Sequence, residues 1–204
     1  MLDLRVPLVL ASQSPRRRQL LERLGVRFTV HPSDADETVP PGMPPVETVH
    51  RLARDKAETV AAAFPTALTL GADTIVVLDG DVLGKPTDDA HAAEMLARLS
   101  GRSHTVFTGI ALVDPPRGRS VTAHEATEVT FAPLSPEEIE AYVRTGSPRD
   151  KAGSYGIQDD AGALFVEGVR GDYYNVVGLP LHRLYQTLRT HFADLLAPLG
   201  APND

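Results

Sequence analysis

At 204 residues, the chain is long enough for one sizeable α/β domain or for two small lobes sharing a cleft, and 42% hydrophobic with 23% charged residues is the composition of a globular, soluble protein. It has no cysteine, which excludes disulfides, thiolate zinc sites and cysteine nucleophiles and agrees with a cytoplasmic location. A net charge of −7 leaves no basic excess for a long nucleic-acid or anionic-membrane footprint, so any phosphate binding should be local.

Val6 to Ala11 reads as a buried strand. It is too short for a signal-peptide core and runs straight into arginines, so no targeting segment is expected. No window approaches the ~18 apolar residues of a membrane span. Ser14 is a good N-cap and Pro15 a good first helical residue, and Leu20, Leu21 and Leu24 form an apolar stripe that Gly25 ends. Arg16, Arg17 and Arg18 then occupy the first turn, at the positive end of the helix dipole, where each like charge costs roughly 0.3–1 kcal/mol. Three solvated arginines are the plain explanation. Backbone N–H groups, the hydroxyls of Ser12 and Ser14 and forked guanidinium donors also describe a phosphate site.

Phe28 to His31 alternates like a short strand, and Pro32 to Pro45 is a loop carrying Asp34, Asp36 and Glu37. The next helix runs from about Val46 to Ala63, with Val49, Leu52, Ala53, Ala57 and Val60 on one face. Lys56 falls within that stripe, so its ammonium either snorkels outward or points into a cleft. Leu68 to Leu78 is the most apolar run and reads as an interior strand, returning through an Asp79-Gly80 hairpin to Val82, Leu83 and Gly84-Lys85-Pro86. Asp73 is the anomaly there. An ionised carboxylate in a buried strand is costly unless it is paired or binds a cation, so a use for it is expected.

Thr87-Asp88-Asp89 opens a third helix with acids at the favourable end, and strands follow at Thr105 to Asp114 and Ser120 to Phe131. Ser135-Pro136-Glu137-Glu138 is a capping box opening a helix to about Thr145. Gly146 to Gly162 is a glycine-rich loop whose Lys151, Tyr155 and Gln158 could wrap a polar ligand, although a plain solvent loop has the same composition. Ala163 to Val169 reads as a strand and Gly171 to Asn175 as a turn. Pro180 starts a last amphipathic helix through Leu184, Leu188 and Phe192, and Ala197 to Asp204 reads as a tail.

Esterase and zincin signatures are absent, and the phosphate-loop likeness of Gly80 to Lys85 fails because Pro86 stands where a Ser or Thr is needed. What remains is the carboxylates Asp73 and Glu37, the cations Arg16, Arg17, Lys56 and Lys85, and a glycine-rich loop. Hard carboxylate oxygens suit Mg2+ or Mn2+, and dispersed cations suit a polyphosphate, so phosphoanhydride hydrolysis fits.

Ser12-Gln-Ser-Pro-Arg-Arg17, Asp36-Glu37, Arg51-Leu-Ala-Arg-Asp-Lys-Ala57, Gly71-Ala-Asp-Thr74, Gly84-Lys-Pro86, Lys151-Ala-Gly-Ser-Tyr-Gly-Ile-Gln158 and Asn175-Val-Val-Gly-Leu-Pro180 together resemble the Maf family of nucleotide pyrophosphatases, in order, over roughly residues 8 to 190. The resemblance implies one α/β domain over residues 1–204, similar to the inosine-triphosphatase fold, with a bent mixed sheet flanked by helices and two lobes sharing a central cleft. It implies cleavage of a nucleoside triphosphate between the α- and β-phosphates, with a divalent metal cation, Mg2+ or Mn2+. Asp73 would be the general base, with Glu37 and Asp73 near the metal. Ser12, Arg16, Arg17, Lys56 and Lys85 would hold the phosphates.

Arg16, Thr74 and Gln158 match the form of the family that prefers dTTP and UTP, and the Gln158 amide offers the donor and acceptor that the edge of a uracil or thymine ring needs. Modified pyrimidine nucleotides stay open, since Gln13 and Asp159-Asp160 depart from the usual pattern. The partner implied is a nucleotide, with no nucleic acid and no membrane, and a homodimer is a family-level expectation. Two alternatives remain: a nucleotide-binding regulator of septum formation in which hydrolysis is secondary, and a house-cleaning pyrophosphatase of the ITP/XTP type.

Overall fold

A computed structural model describes residues 2–158 and 161–197. Asp159, Asp160 and the expected tail beyond Ala197 lie outside the described residues. The elements follow in the order β1 (Leu8–Ala11), α1 (Pro15–Arg23), β2 (Thr29–Val30), α2 (Pro45–Ala61), β3 (Leu68–Leu78), β4 (Asp81–Leu83), α3 (Asp89–Leu99), β5 (Ser103–Asp114), β6 (Arg119–Phe131), α4 (Pro136–Arg144), β7 (Val166–Arg170), α5 (Tyr173–Val177) and α6 (Leu181–His191). The strands form a seven-stranded mixed sheet in the order β2-β1-β3-β5-β6-β7, with β4 on β3. β1 is parallel to both β2 and β3, whereas β4 and β7 pair antiparallel to β3 and β6. This is the α/β class expected from the sequence. No helix among the described residues is long and apolar enough to cross a membrane.

The chain divides into two compact units, and β3, β5 and β6 contribute residues to both. The first takes the described residues of Met1–Asp73, Thr108–Glu125 and Gly178–Asp204. Here α2 lays its small-residue face on the sheet: Ala53, Ala57 and Ala61 pack with Ala111 and Val113 of β5, and Val60 joins Val9, Ala11 and Ala67. Glycines permit that closeness, because a Cβ at Gly109 would lie 2.3 Å from the Val49 carbonyl oxygen. In α6, Leu184 and Leu188 are buried, and Phe192 just beyond it is fully enclosed.

The second unit takes Thr74–Phe107 and Ala126–Val177. Asp79 and Gly80 both adopt positive φ, 53° and 88°, as a two-residue hairpin turn between β3 and β4 requires. Asp88 caps α3 by accepting from the His91 N–H, and Ser135 caps α4 in a complete capping box with Glu138. The core of this unit is aromatic, with Phe131 edge-on to Tyr155, His104 and Phe165.

Two local expectations are corrected. The strand expected from Ala163 begins only at Val166, because Gly162–Phe165 forms a 3-10 turn that buries Phe165 against Tyr142 and leaves Leu164 79% exposed. Ala163-Leu-Phe lacks the alternation a half-buried strand needs. The turn expected at Gly171 to Asn175 is in part the short helix α5: Asp172 Oδ1 accepts from the Tyr174 N–H, and the buried Asn175 amide donates to the Val106 carbonyl and Thr127 Oγ1.

Candidate active site

In the first unit the site grows out of strand register. β1 stops at Ala11, opposite Gly71, while β3 continues, so Asp73 lies just past the carboxyl end of β1. Side chains alternate along a strand, which puts Thr69, Gly71 and Asp73 on one face of β3. Gly71 identifies what that face meets. A Cβ there would lie 2.2 Å from the Ala53 carbonyl oxygen and 2.8 Å from the Ala57 nitrogen, so the backbone of α2 rests directly on the strand.

With Ala53 and Ala57 held over Gly71, Lys56 reaches Asp73. Its Nζ donates to Asp73 Oδ1 at 2.6 Å and meets Glu37 Oε1, from the loop before α2, at 2.8 Å. The lysine and aspartate side chains are each 11% exposed, while Glu37 is 57% exposed. Of the two orientations open to Lys56, the structure therefore has the inward one. The acid in the strand has a cationic partner, and that partner also holds a second carboxylate that faces solvent.

The arginine triplet separates by role. Ser14 caps α1 by accepting from the Arg17 N–H, and the first turn of the helix contains no acid. The half-buried Arg17 side chain donates through Nε to the Gly178 carbonyl at 2.8 Å and through Nη1 to Ser12 Oγ at 3.2 Å. Burial lowers its pKa, while the carboxylates of Asp73 and Glu37 act to raise it and Arg16 acts to lower it. Arg18 points outward to Glu22 at 3.5 Å. The buried Ser12 oxygen also accepts from the Ser14 N–H, so with both acceptor positions taken it offers a ligand its O–H. Ser12, Arg16, Arg17, Glu37, Lys56 and Asp73 thus belong to one compact unit and one charge network.

Thr74, Lys85 and Gln158 belong to the second unit. Thr74 is half-buried on β3, and Lys85 and Gln158 are exposed. The loop that carries Gln158 is fastened to the segment that carries Lys85, because the Gly153 N–H donates to the Gly84 carbonyl at 3.1 Å. Gly153 has φ 67°, and a Cβ there would lie 3.0 Å from Val76. Lys151 and Tyr155, read from the sequence as possible ligand contacts alongside Gln158, are buried instead. Lys151 Nζ donates to Asp150 Oδ1 and to the Ser147 carbonyl, and the Tyr155 hydroxyl shares a hydrogen bond with His104 Nε2 at 2.8 Å. Both lie in the buried part of the loop that precedes the exposed Gln158.

Among the described residues no three His, Asp or Glu side chains come together as a metal cluster. The donors suited to a hard cation are the carboxylates of Asp73 and Glu37, which a single ammonium already spans. Two carboxylates fit Mg2+ or Mn2+ because such ions keep several waters and take their remaining ligands from substrate phosphates.

Residues 7–191 match the Maf-like protein family. The chain belongs to the Maf family. It is 58% identical over 201 residues to a dTTP/UTP pyrophosphatase of Salinibacter ruber, covering 98% of each chain. A dTTP/UTP pyrophosphatase of Moorella thermoacetica is 57% identical over 92% of this chain and 96% of its own. One of Symbiobacterium thermophilum is 57% identical over 89% and 92%. Among solved structures, the Ham1 protein of Staphylococcus aureus is similar with a TM-score of 0.46 at 16% identity, over 62% of this chain and 72% of that one.

Within this Maf chain, sequence reasoning missed one contributor. The Gly178 carbonyl, in the block Asn175 to Pro180, receives Arg17 Nε, and Gly178 has φ 120°. A glycine between an apolar turn and a proline marks an unusual backbone conformation, but nothing in the sequence says which side chain its carbonyl meets.

Proposed function

We propose that this chain is a nucleoside triphosphate pyrophosphatase that hydrolyses dTTP and UTP, with modified pyrimidine nucleotides as further candidates, to the monophosphate and pyrophosphate. The observation that carries the reading is the buried Asp73 on β3, held by Lys56 beside Arg17 of the opening helix. The names of relatives 57–58% identical over nearly the whole chain support the substrate class.

In this reading Asp73 accepts a proton from a water, the water oxygen bonds to the α-phosphorus, and the bond from that phosphorus to the bridging oxygen breaks as pyrophosphate leaves. Arg16 and Arg17 stabilise charge on the phosphate oxygens, with Ser12 donating its O–H and orienting Arg17. Lys56 and Lys85 provide further cationic contacts. Thr74 and Gln158 select the base, Gln158 through an amide that both donates and accepts. A divalent cation held by Asp73 and Glu37 would draw electron density from the phosphate oxygens. The substrate pool implies a cytoplasmic location.

The test is pyrophosphate release over a matrix of dTTP, UTP, CTP, ATP, GTP, ITP and XTP against Mg2+, Mn2+ and a chelator. Preferential turnover of dTTP and UTP that the chelator abolishes is expected. Equal turnover of purines and pyrimidines would refute the substrate assignment, and full activity in chelator would refute the metal requirement.

A further inference from the structure

The ammonium of Lys56 lies 2.6 Å from Asp73 Oδ1 and 2.8 Å from Glu37 Oε1, between the two carboxylates proposed above to hold the divalent cation. It did not arrive there by drifting over a flexible surface. Lys56 sits between Ala53 and Ala57, whose backbones touch Gly71, and its side chain is 11% exposed, so the helix delivers it to this point. Arg17, fixed by Ser12 and the Gly178 carbonyl, adds a second cation to the same field. One carboxylate pair cannot hold an ammonium and a divalent ion between the same oxygens, because the two cations repel strongly at such a separation.

We propose that Lys56 is a resident cation that occupies the metal position of the nucleotide-free protein and is exchanged for the metal when a nucleotide arrives. Free metal ions meet an already neutralised acid pair and bind weakly. A metal-nucleotide complex brings phosphate oxygens that give the ammonium another partner, so Lys56 turns from the acids to the phosphates while the metal takes the acids. Metal entry is thereby coupled to substrate entry, and the acid in the strand is never left without a counter-ion. The inference rests on the assignment of Asp73 and Glu37 as the cation-binding acids.

The test is Mn2+ binding by the full-length, nucleotide-free protein, followed by the electron paramagnetic resonance signal of free Mn2+. Lys56→Met, which keeps the apolar stem and removes the charge, should bind Mn2+ at least ~10-fold more tightly than wild type. The gain should vanish in Lys56→Met with Asp73→Asn. Lys56→Gln, whose amide can still donate to Asp73, is measured in parallel in case the methionine variant does not fold, and should show the same direction. Equal affinity of wild type and the folded variants, tight equimolar binding by wild type, or no Mn2+ binding by any of them would each overturn the proposal. Failure here is separable from failure of the functional reading. A protein that turns over dTTP while its Lys56 variants bind Mn2+ no better loses only the exchange, whereas a wild type that releases no pyrophosphate loses the activity and leaves the binding comparison to be judged by itself.

Discussion

Substituting Gly71 by alanine tests whether the contact of α2 with β3 is what places Lys56 on Asp73. The added Cβ would lie 2.2 Å from the Ala53 carbonyl oxygen, against a practical lower limit of 3.0 Å, so strand and helix must separate by at least ~0.8 Å. Both partners are backbone, and no rotamer change relieves the clash. Overpacking of this kind costs about 1–3 kcal/mol, and here the upper end is expected because a whole helix must move. At roughly 2–4 °C per kcal/mol for a chain of this size, Tm should fall by about 6–12 °C. The same displacement stretches the 2.6 Å contact of Lys56 with Asp73, and misplacement on this scale can reduce turnover by up to ~100-fold. Thermal melts by circular dichroism and pyrophosphate release from dTTP measure the two effects. Gly168→Ala, where the new Cβ would meet nothing within 4 Å, is the matched control and should be neutral. Wild-type Tm and turnover in Gly71→Ala would refute the argument.

Asp73→Asn preserves shape and an oxygen acceptor for Lys56, so it should fold and lose about 10²–10⁴-fold in kcat; unchanged turnover would remove Asp73 from the base role. Ser12→Ala deprives the Arg17 guanidinium of an acceptor, a loss of about 1.5–3 kcal/mol for a charged group, and kcat/KM for dTTP should fall by at least ~10-fold. An unaltered value would reduce Ser12 to a loop-former. In the second unit, burial lowers the His104 pKa to about 4, so between its ordinary value of 6.5 and that point the unfolded chain binds a proton that the folded protein refuses. Stability therefore falls as pH drops through this window, by about 3 kcal/mol in all at 1.36 kcal/mol per unit. Urea unfolding at pH 7.5 and 5.0 should show wild type losing more stability on acidification than His104→Gln, and parallel losses would contradict the assignment.

Features governed by neighbours in the chain were legible from the sequence. The Ser14 and Ser135 caps, the glycine ending of α1, the Asp79-Gly80 turn and the limits of β3 all follow from rules that act over a few residues, and the structure has each of them. Elements decided by distant packing were not. Whether Ala163 to Phe165 extends as strand depends on Tyr142 and Phe131 taking Phe165, and whether Lys151 and Tyr155 face a ligand depends on where Ser147 and His104 lie. The site divides along the same line. Asp73 stood out because a carboxylate in an apolar strand is costly, but the inward aim of Lys56 depends on two glycines that admit α2 to the sheet, a constraint that no helical periodicity expresses.

The unfavourable arginines at the start of α1 follow from this same arrangement. A helix that begins with three positive charges and no acid loses stability to its own dipole; in the first unit Arg18 pairs with Glu22, and Arg17 lies in the field of Asp73 and Glu37. Arg16, Arg17 and Lys56 set against Asp73 and Glu37 leave one net positive charge, so without a ligand the cluster comes close to neutrality. On the proposed reading a triphosphate brings several negative charges to a cradle with one to spare. A divalent ion, as proposed, would bring twice the charge of any one side chain. On that reading, replacing a single arginine should weaken pyrophosphate release from dTTP, whereas a chelator should abolish it, and full activity in chelator would refute the charge argument.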